Sequence, residues 1–186
     1  IAIENAGICG TDLALFSGDY PANLPLVLGH EFAGKITSIG QGVDSDWLNQ
    51  RVTAEINNTC LAYKIETLCR ACRVGLANHC QRRTVTGIIG HDGAFAEEIS
   101  VPVGCLHKIP ENLNSKTAVF IEPLAAAIQT FETLATKRPN TVAVIGPGRL
   151  GVLIVFVAAL RGHKVIAISR SGFKRERALN FGAVEA

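Results

Sequence analysis

The sequence predicts an α/β protein, α+β in its overall layout, with a loop-rich β domain over residues 1–123 and the opening of a parallel α/β sheet over residues 124–186. Three observations carry that prediction. Up to Glu122, short apolar runs alternate with glycine and proline, and sustained helical periodicity is scarce. Beyond it, apolar residues recur at helical spacing in PLAAAIQTFETLATK. TVAVIG, GPGRLG and the apolar run GVLIVFVAAL then supply strand, glycine turn and helix, the order from which parallel sheets are built.

In the first domain the expected strands are residues 1–8, 32–39, 51–56, 95–101 and 105–109, punctuated by Pro21, Pro25, Pro102 and Pro110. In the second, residues 123–137 form a helix that ends before Pro139, because a residue preceding proline is pushed out of the helical region. TVAVIG is rich in β-branched residues, as suits a buried parallel strand. A helix over residues 150–161 stops at Gly162, KVIAIS is the next strand, and residues 173–181 form a helix closed by Gly182. Two parallel strands cannot cover themselves. The chain also contains no methionine, even at position 1. Both features predict an internal fragment, incomplete at the start of the first domain and at the end of the second.

Of the 186 residues, 48% are hydrophobic and 18% charged, which suits a folded core rather than a disordered chain. A formal net charge of +2 gives no basic field for nucleic acid or an anionic membrane. The longest apolar run is about half of the roughly 18 to 20 residues that span a bilayer, and no signal-peptide pattern opens the chain. Three of the six cysteines crowd between Cys69 and Cys80, and two others lie near histidine or acidic residues. That pattern favours metal ligation in a reducing, cytoplasmic compartment over a disulfide framework. Asn57-Asn58-Thr59 fits a glycosylation sequon, which has no meaning in that compartment.

Gly146-Pro147-Gly148-Arg149-Leu150-Gly151 is a G-x-G-x-x-G turn between a predicted strand and helix, the context of a dinucleotide fingerprint. Its glycines let the backbone approach a pyrophosphate, and the helix N-terminus offers unpaired N–H groups. The bland alternative is a tight turn with no ligand. Where an acid would hold a ribose 2′-hydroxyl, the chain has Ser169, followed by Arg170 and Ser171. An arginine and two hydroxyls suit a phosphate, so NADP is expected over NAD; the alternative is that Arg170 is a solvated surface residue. Upstream, Cys9-Gly10-Thr11-Asp12 and Gly29-His30-Glu31 place a thiol, an imidazole and carboxylates in turns beside short strands. With Glu122 at the junction of the two textures, Cys9, His30 and Glu122 make a ligand set of the kind a catalytic zinc uses. Cys69-x-x-Cys72 and Cys80 supply three arms of a second, tetrahedral site. Its fourth arm is either Cys60 or Glu66.

From AGICGTD through LGHEFAG, a cysteine lobe at about residues 57–82, GAFAEEISVP and IEPLAAA to the glycine turn, the chain resembles the zinc-dependent medium-chain alcohol and polyol dehydrogenases. The resemblance implies a GroES-like, β-barrel-type catalytic domain joined to a Rossmann domain, with the active site between them. It implies that Cys9, His30 and, as in the polyol branch, Glu122 hold the catalytic zinc. It assigns Glu31 to the metal during ligand exchange, Thr11 to relay of the substrate proton, and Asp12 to orienting the zinc-bound histidine. Coenzyme contacts fall on Gly146, Gly148, Arg149, Leu150, Gly151, Ser169 and Arg170. The sequence departs from many relatives at Ala14, where they carry a histidine that completes the relay. The family's structural zinc is held by four cysteines, and Cys69, Cys72 and Cys80 match the last three. Glu66 keeps the register of the first, whereas Cys60 follows INNT, as that first cysteine often does. The second reading makes LAYKIE an insertion and is favoured. Lengthening a loop costs roughly 0.6 kcal/mol per doubling, and thiolate suits a closed zinc site better than carboxylate.

The function expected from the resemblance is hydride transfer between a secondary alcohol or polyol, or the matching carbonyl, and NAD(P), with zinc as the Lewis acid. The expected partner is the small-molecule substrate, with no nucleic acid and no membrane. The full-length protein is expected to be a homo-oligomer, dimer or tetramer, and the fragment alone to be inactive. Two other readings compete. A zinc-free quinone or enoyl reductase of the same superfamily would lack the Cys9–His30–Glu122 set. A non-catalytic GroES-like or zinc-lobe binding module would have no use for the glycine turn.

Overall fold

The computed structural model describes residues 1–134 and 140–186, which form two compact units, Ile1–Glu122 and Pro123–Ala186. The first unit contains β1 (Ala2–Gly7), α1 (Gly10–Ser17), β2 (Glu31–Lys35), β3 (Arg51–Ala54), β4 (Asn57–Asn58), α2 (Arg70–Arg73), β5 (Thr84–Thr86), β6 (Gly90–His91), β7 (Leu106–Lys108) and α3 (Ser115–Ala118). Its strands make a four-stranded sheet in the order β1-β2-β3-β7 and a three-stranded sheet in the order β4-β5-β6. Among the described residues these sheets stay open; no closed barrel forms. All pairings in the larger sheet are antiparallel, with Gly7 opposite Glu31 and Val52 opposite both Gly34 and Lys108.

Strand β2 is buried on both faces. Phe32 packs with Ala54, Ile99 and Cys105, while Ala33 packs with Ile109, Ala118 and Val119. That is why Phe32, Ala33 and Gly34 follow one another without a polar residue between the charged ends of EFAGK. Gly34 is required here by close approach, since a Cβ would stand 2.4 Å from the Ala2 carbonyl oxygen.

Three expectations need correction. Cys9-Gly10-Thr11-Asp12, read as a turn, instead opens an eight-residue helix, Gly10–Ser17. Leu13 and Phe16 on it are 48% and 88% exposed, so no apolar stripe marks the helix in the sequence. Residues 95–101 are not a strand but a single bridge from Glu98 to Ala2. The N–H groups of Gly93, Ala94 and Phe95 bond to the carbonyls of Val27, Gly29 and Leu28, which draws the preceding chain away from β1. Cys105 belongs to a 3-10 turn, Val103–Cys105, and its strand begins only at Leu106.

Helix α4 (Ile121–Leu134) begins at the end of the first unit, and the second unit runs on from it through β8 (Thr141–Ile145), α5 (Arg149–Leu160) and β9 (Lys164–Ile168) to α6 (Gly172–Asn180). The predicted end of the first helix before Pro139 lies outside the described residues. Strands β8 and β9 are parallel and in register from Thr141 opposite Lys164 to Ile145 opposite Ile168. Phe131, Val155, Ala158, Val165 and Ala167 form the core between helices and sheet. Gly162 and Gly182 adopt φ of 79° and 103° just beyond α5 and α6, the left-handed conformation that ends helices. Among the described residues no helix is long and apolar enough to cross a membrane.

Candidate functional site

The first cluster is organised by Asp12, 3% exposed in the first turn of α1. Its Oδ2 accepts the Cys9 backbone N–H at 2.7 Å, and its Oδ1 accepts that of Gly29 at 3.2 Å. One carboxylate thus joins the start of α1 to the segment that leads into β2. The same Oδ1 lies 3.4 Å from Nδ1 of His30, also 3% exposed. That approach is an electrostatic contact rather than a formed hydrogen bond, and Nδ1 has no hydrogen-bond partner. Gly29 has φ of +98°, and the Phe95 ring lies where its Cβ would stand, which fixes the chain immediately before the imidazole. Thr11 Oγ1 is 3.8 Å from Cys9 Sγ and accepts from the thiol.

Ligand atoms of Cys9, His30 and Glu31 lie within 4.8 Å of one another. The carboxylate that joins the thiol and the imidazole is therefore that of Glu31, carried in beside His30 by the first residue of β2. Glu122, expected as the third member, is outside that set. Burial, and then the charges of Glu31, Glu55 and Asp12, push its carboxyl up to about 7. Without a cation among them, carboxylates converging from β2 and α4 disfavour one another.

In the second cluster Cys60, Cys69, Cys72 and Cys80 are all buried, with every sulfur within 4.8 Å of the others. The Cys60–Cys80 and Cys69–Cys80 sulfurs are 3.5 and 3.7 Å apart, yet none of the six cysteines is in a disulfide. Glu66 is exposed and lies outside the cluster. LAYKIE forms a turn held by Tyr63 N–H to Thr59 O and Ile65 N–H to Cys60 O. Most of it faces solvent, but Ala62 is buried against the core of the larger sheet. Backbone N–H groups of Cys72 and Gln81 directed at Cys69 hold its thiol down at about 6, whereas burial and the neighbouring thiols push Cys72 up to about 12.

In the second unit, Gly146 has φ of +76° and its N–H bonds to Ile168 O, tying the turn to β9. A Cβ on Gly151 would lie 2.6 Å from the Gly146 carbonyl oxygen, so the first turn of α5 closes on this turn only with glycine there. A Cβ on Gly148 would meet nothing nearer than 3.9 Å, which leaves its side open. Arg149 and the half-exposed Leu150 begin α5. The Ser169 hydroxyl accepts the Ser171 N–H at 3.2 Å, and Arg170 is exposed. Sequence reasoning overlooked Arg175, whose Nη1 donates to Ser169 O at 2.7 Å. A basic residue one helical turn after an N-terminal Ser171 was the available signal.

Residues 1–111 match the family described as the alcohol dehydrogenase GroES-like domain. The chain is 34% identical over 166 residues to sorbitol dehydrogenase of Halalkalibacterium halodurans, covering 89% of this chain and 47% of that protein. Among solved structures, galactitol-1-phosphate dehydrogenase from Escherichia coli superposes with a TM-score of 0.90 at 30% identity, over 100% of this chain and 52% of that one. A protein of Sinorhizobium meliloti described as a zinc-binding dehydrogenase, bound to NADP, gives 0.88 at 35% identity over 99% and 52%. The chain spans about half the length of these relatives. With the family match covering more than half of its residues, the chain belongs to the alcohol dehydrogenase family built on the GroES-like domain.

Proposed function

We propose that the protein carrying this chain is a zinc-dependent oxidoreductase that moves a hydride between a secondary alcohol or polyol, or its carbonyl counterpart, and NADP or NAD. The observation that carries the reading is the convergence of Cys9, His30 and Glu31 within 4.8 Å over a buried Asp12. A thiol, an imidazole and a carboxylate fit a catalytic zinc, and four buried thiols whose sulfurs all lie within 4.8 Å of one another fit a structural one. Cys9 and His30 would hold the catalytic metal with a carboxylate: Glu31 already stands in reach, and Glu122 is the second candidate. Bound zinc supplies Lewis-acid polarisation of the substrate oxygen. Asp12 holds the loops bearing both ligands through two backbone N–H groups and sets a negative charge 3.4 Å from the imidazole, where it would orient a metal-bound His30. Thr11, whose hydroxyl meets the Cys9 thiol, would in this reading relay the hydroxyl proton of the substrate. Gly146 and Gly148 would leave the backbone bare for a pyrophosphate and Gly151 lets the helix close on the turn, with Arg149 and Leu150 opening that helix. Ser169 and Arg170 favour a coenzyme with a 2′-phosphate. Polyol substrates are supported by the sorbitol and galactitol-1-phosphate enzymes among the relatives. Six cysteines without a disulfide support a reducing, cytoplasmic setting. A homo-oligomeric assembly belongs to the same reading.

The test is to assay the full-length protein for reduced nicotinamide formation with a panel of polyols and secondary alcohols, before and after metal removal. Activity that chelation abolishes, zinc restores and Cys9→Ser eliminates supports the reading. Activity indifferent to chelation refutes it.

A further inference from the structure

Arg175 stands one helical turn into α6, folded back over the loop that follows β9. Its Nη1 donates to the Ser169 carbonyl oxygen at 2.7 Å. Its other terminal nitrogen lies 3.9 Å from where a Cβ on Gly172 would be, so the guanidinium covers that glycine. The residue is partly buried, whereas Arg170 is exposed. Among the described residues no carboxylate oxygen lies within 4.0 Å of the Arg175 guanidinium. The Ser169 hydroxyl oxygen accepts from Ser171, which fixes the side chain while leaving its own O–H to donate.

The end of the second strand is where a dinucleotide's adenosine ribose is held. A guanidinium already anchored there has less rotamer freedom to lose on meeting a phosphate than a solvated one, and its remaining N–H groups form a fork matched to phosphate oxygens. We propose that Arg175, held by the Ser169 carbonyl, is the specificity-determining cation for a 2′-phosphorylated coenzyme. The proposal rests on the coenzyme reading given above. It goes further in placing the discrimination on a residue of α6 and not on the exposed Arg170 alone.

The experiment is calorimetric titration of the full-length protein that carries this chain with 2′,5′-ADP and with 5′-AMP, which differ by the 2′-phosphate alone. The unsubstituted chain should bind 2′,5′-ADP more tightly. Arg175→Met should weaken 2′,5′-ADP by about tenfold and leave 5′-AMP unchanged, as loss of a charge-assisted hydrogen bond predicts. Arg175→Lys should recover part of the loss. Equal weakening of both nucleotides would make Arg175 only a prop for the Ser169 loop, and an unchanged 2′,5′-ADP affinity would leave discrimination to Arg170; either overturns the proposal. Failure of the unsubstituted chain to prefer 2′,5′-ADP overturns the coenzyme reading itself. That failure is separable because it appears before any substitution.

Discussion

The sulfur atoms of Cys60 and Cys80 lie 3.5 Å apart, although 20 positions separate the residues in the chain. Zn–S bonds of about 2.3 Å in a tetrahedron put sulfurs roughly 3.8 Å apart. Cys60 therefore meets the spacing a zinc needs, and exposed Glu66 does not. Replacing Cys60 by serine should release one zinc per chain and destabilise the first unit by on the order of 4 kcal/mol, the range reserved for loss of a metal. Glu66→Gln should change neither. Zinc content by mass spectrometry and urea unfolding check both; zinc lost from the Glu66 variant but kept by the Cys60 variant would reverse the assignment.

Asp12 accepts from two backbone donors, the partly buried N–H of Cys9 and the buried N–H of Gly29. Asp12→Ala leaves both unpaired and should cost about 2 to 6 kcal/mol, at about 1 to 3 for each. Asp12→Asn keeps an acceptor but removes the charge beside His30. It should unfold at a smaller cost yet weaken zinc at the Cys9–His30 centre by about 10- to 100-fold. Denaturation and chelator competition distinguish the two effects. An alanine variant as stable as the parent would show that Asp12 does not join these segments.

How much of this was legible in the sequence varied with the physics behind each feature. The parallel β8–α5–β9 arrangement was readable because two β-branched runs, the glycine turn between strand and helix, and two glycine stops leave marks in composition. Helix α1 was not, because its apolar residues face solvent and its start is fixed by a contact between Cys9 and Asp12, not by a stripe. The strand over residues 95–101 was overdrawn because alternation cannot show that Gly93–Phe95 bond to another segment. The thiol cluster was readable down to the choice of Cys60 over Glu66, since ligand chemistry and loop entropy both favoured the thiol. At the other cluster the sequence identified ligand types but not distances. It could not reveal that Glu31, and not Glu122, would stand within 4.8 Å of Cys9 and His30.

Cys105 gives a pH prediction away from either cluster. It is 1% exposed, and its thiol lies 3.5 Å from Asn58 Oδ1. Burial and then the charge of Glu55 push it from an ordinary value of 9.0 up to about 11. Since the folded value is the higher, this thiol's contribution to stability is whole below pH 9 and disappears as pH rises through 11. The loss should reach about 2 to 3 kcal/mol. Cys105→Ser retains a donor that does not ionise, so its unfolding free energy should lack that decline. Parallel declines in the two proteins between pH 9 and 11 would rule this out.

Gly148 and Gly151 occupy one turn but should respond oppositely to alanine. At Gly151 the added methyl meets the Gly146 carbonyl oxygen at 2.6 Å, and that carbonyl also accepts the Gly148 N–H at 2.7 Å. The backbone must yield there, pushing α5 off the turn. A net loss of about 1 to 3 kcal/mol is expected, even after the helix propensity gained by replacing glycine. At Gly148, φ is −77°, within reach of any residue, and a methyl would have open space around it. Gly148→Ala should therefore fold as the parent does. Its methyl would nevertheless stand on the bare side of the turn, where a pyrophosphate must come close to the backbone. Dinucleotide affinity should fall by at least about tenfold with stability unchanged. Urea unfolding of both variants, together with calorimetric titration of NADP, separates a turn shaped only for packing from one shaped for a ligand. If Gly148→Ala binds NADP as well as the parent does, the open side of this turn is not the coenzyme's.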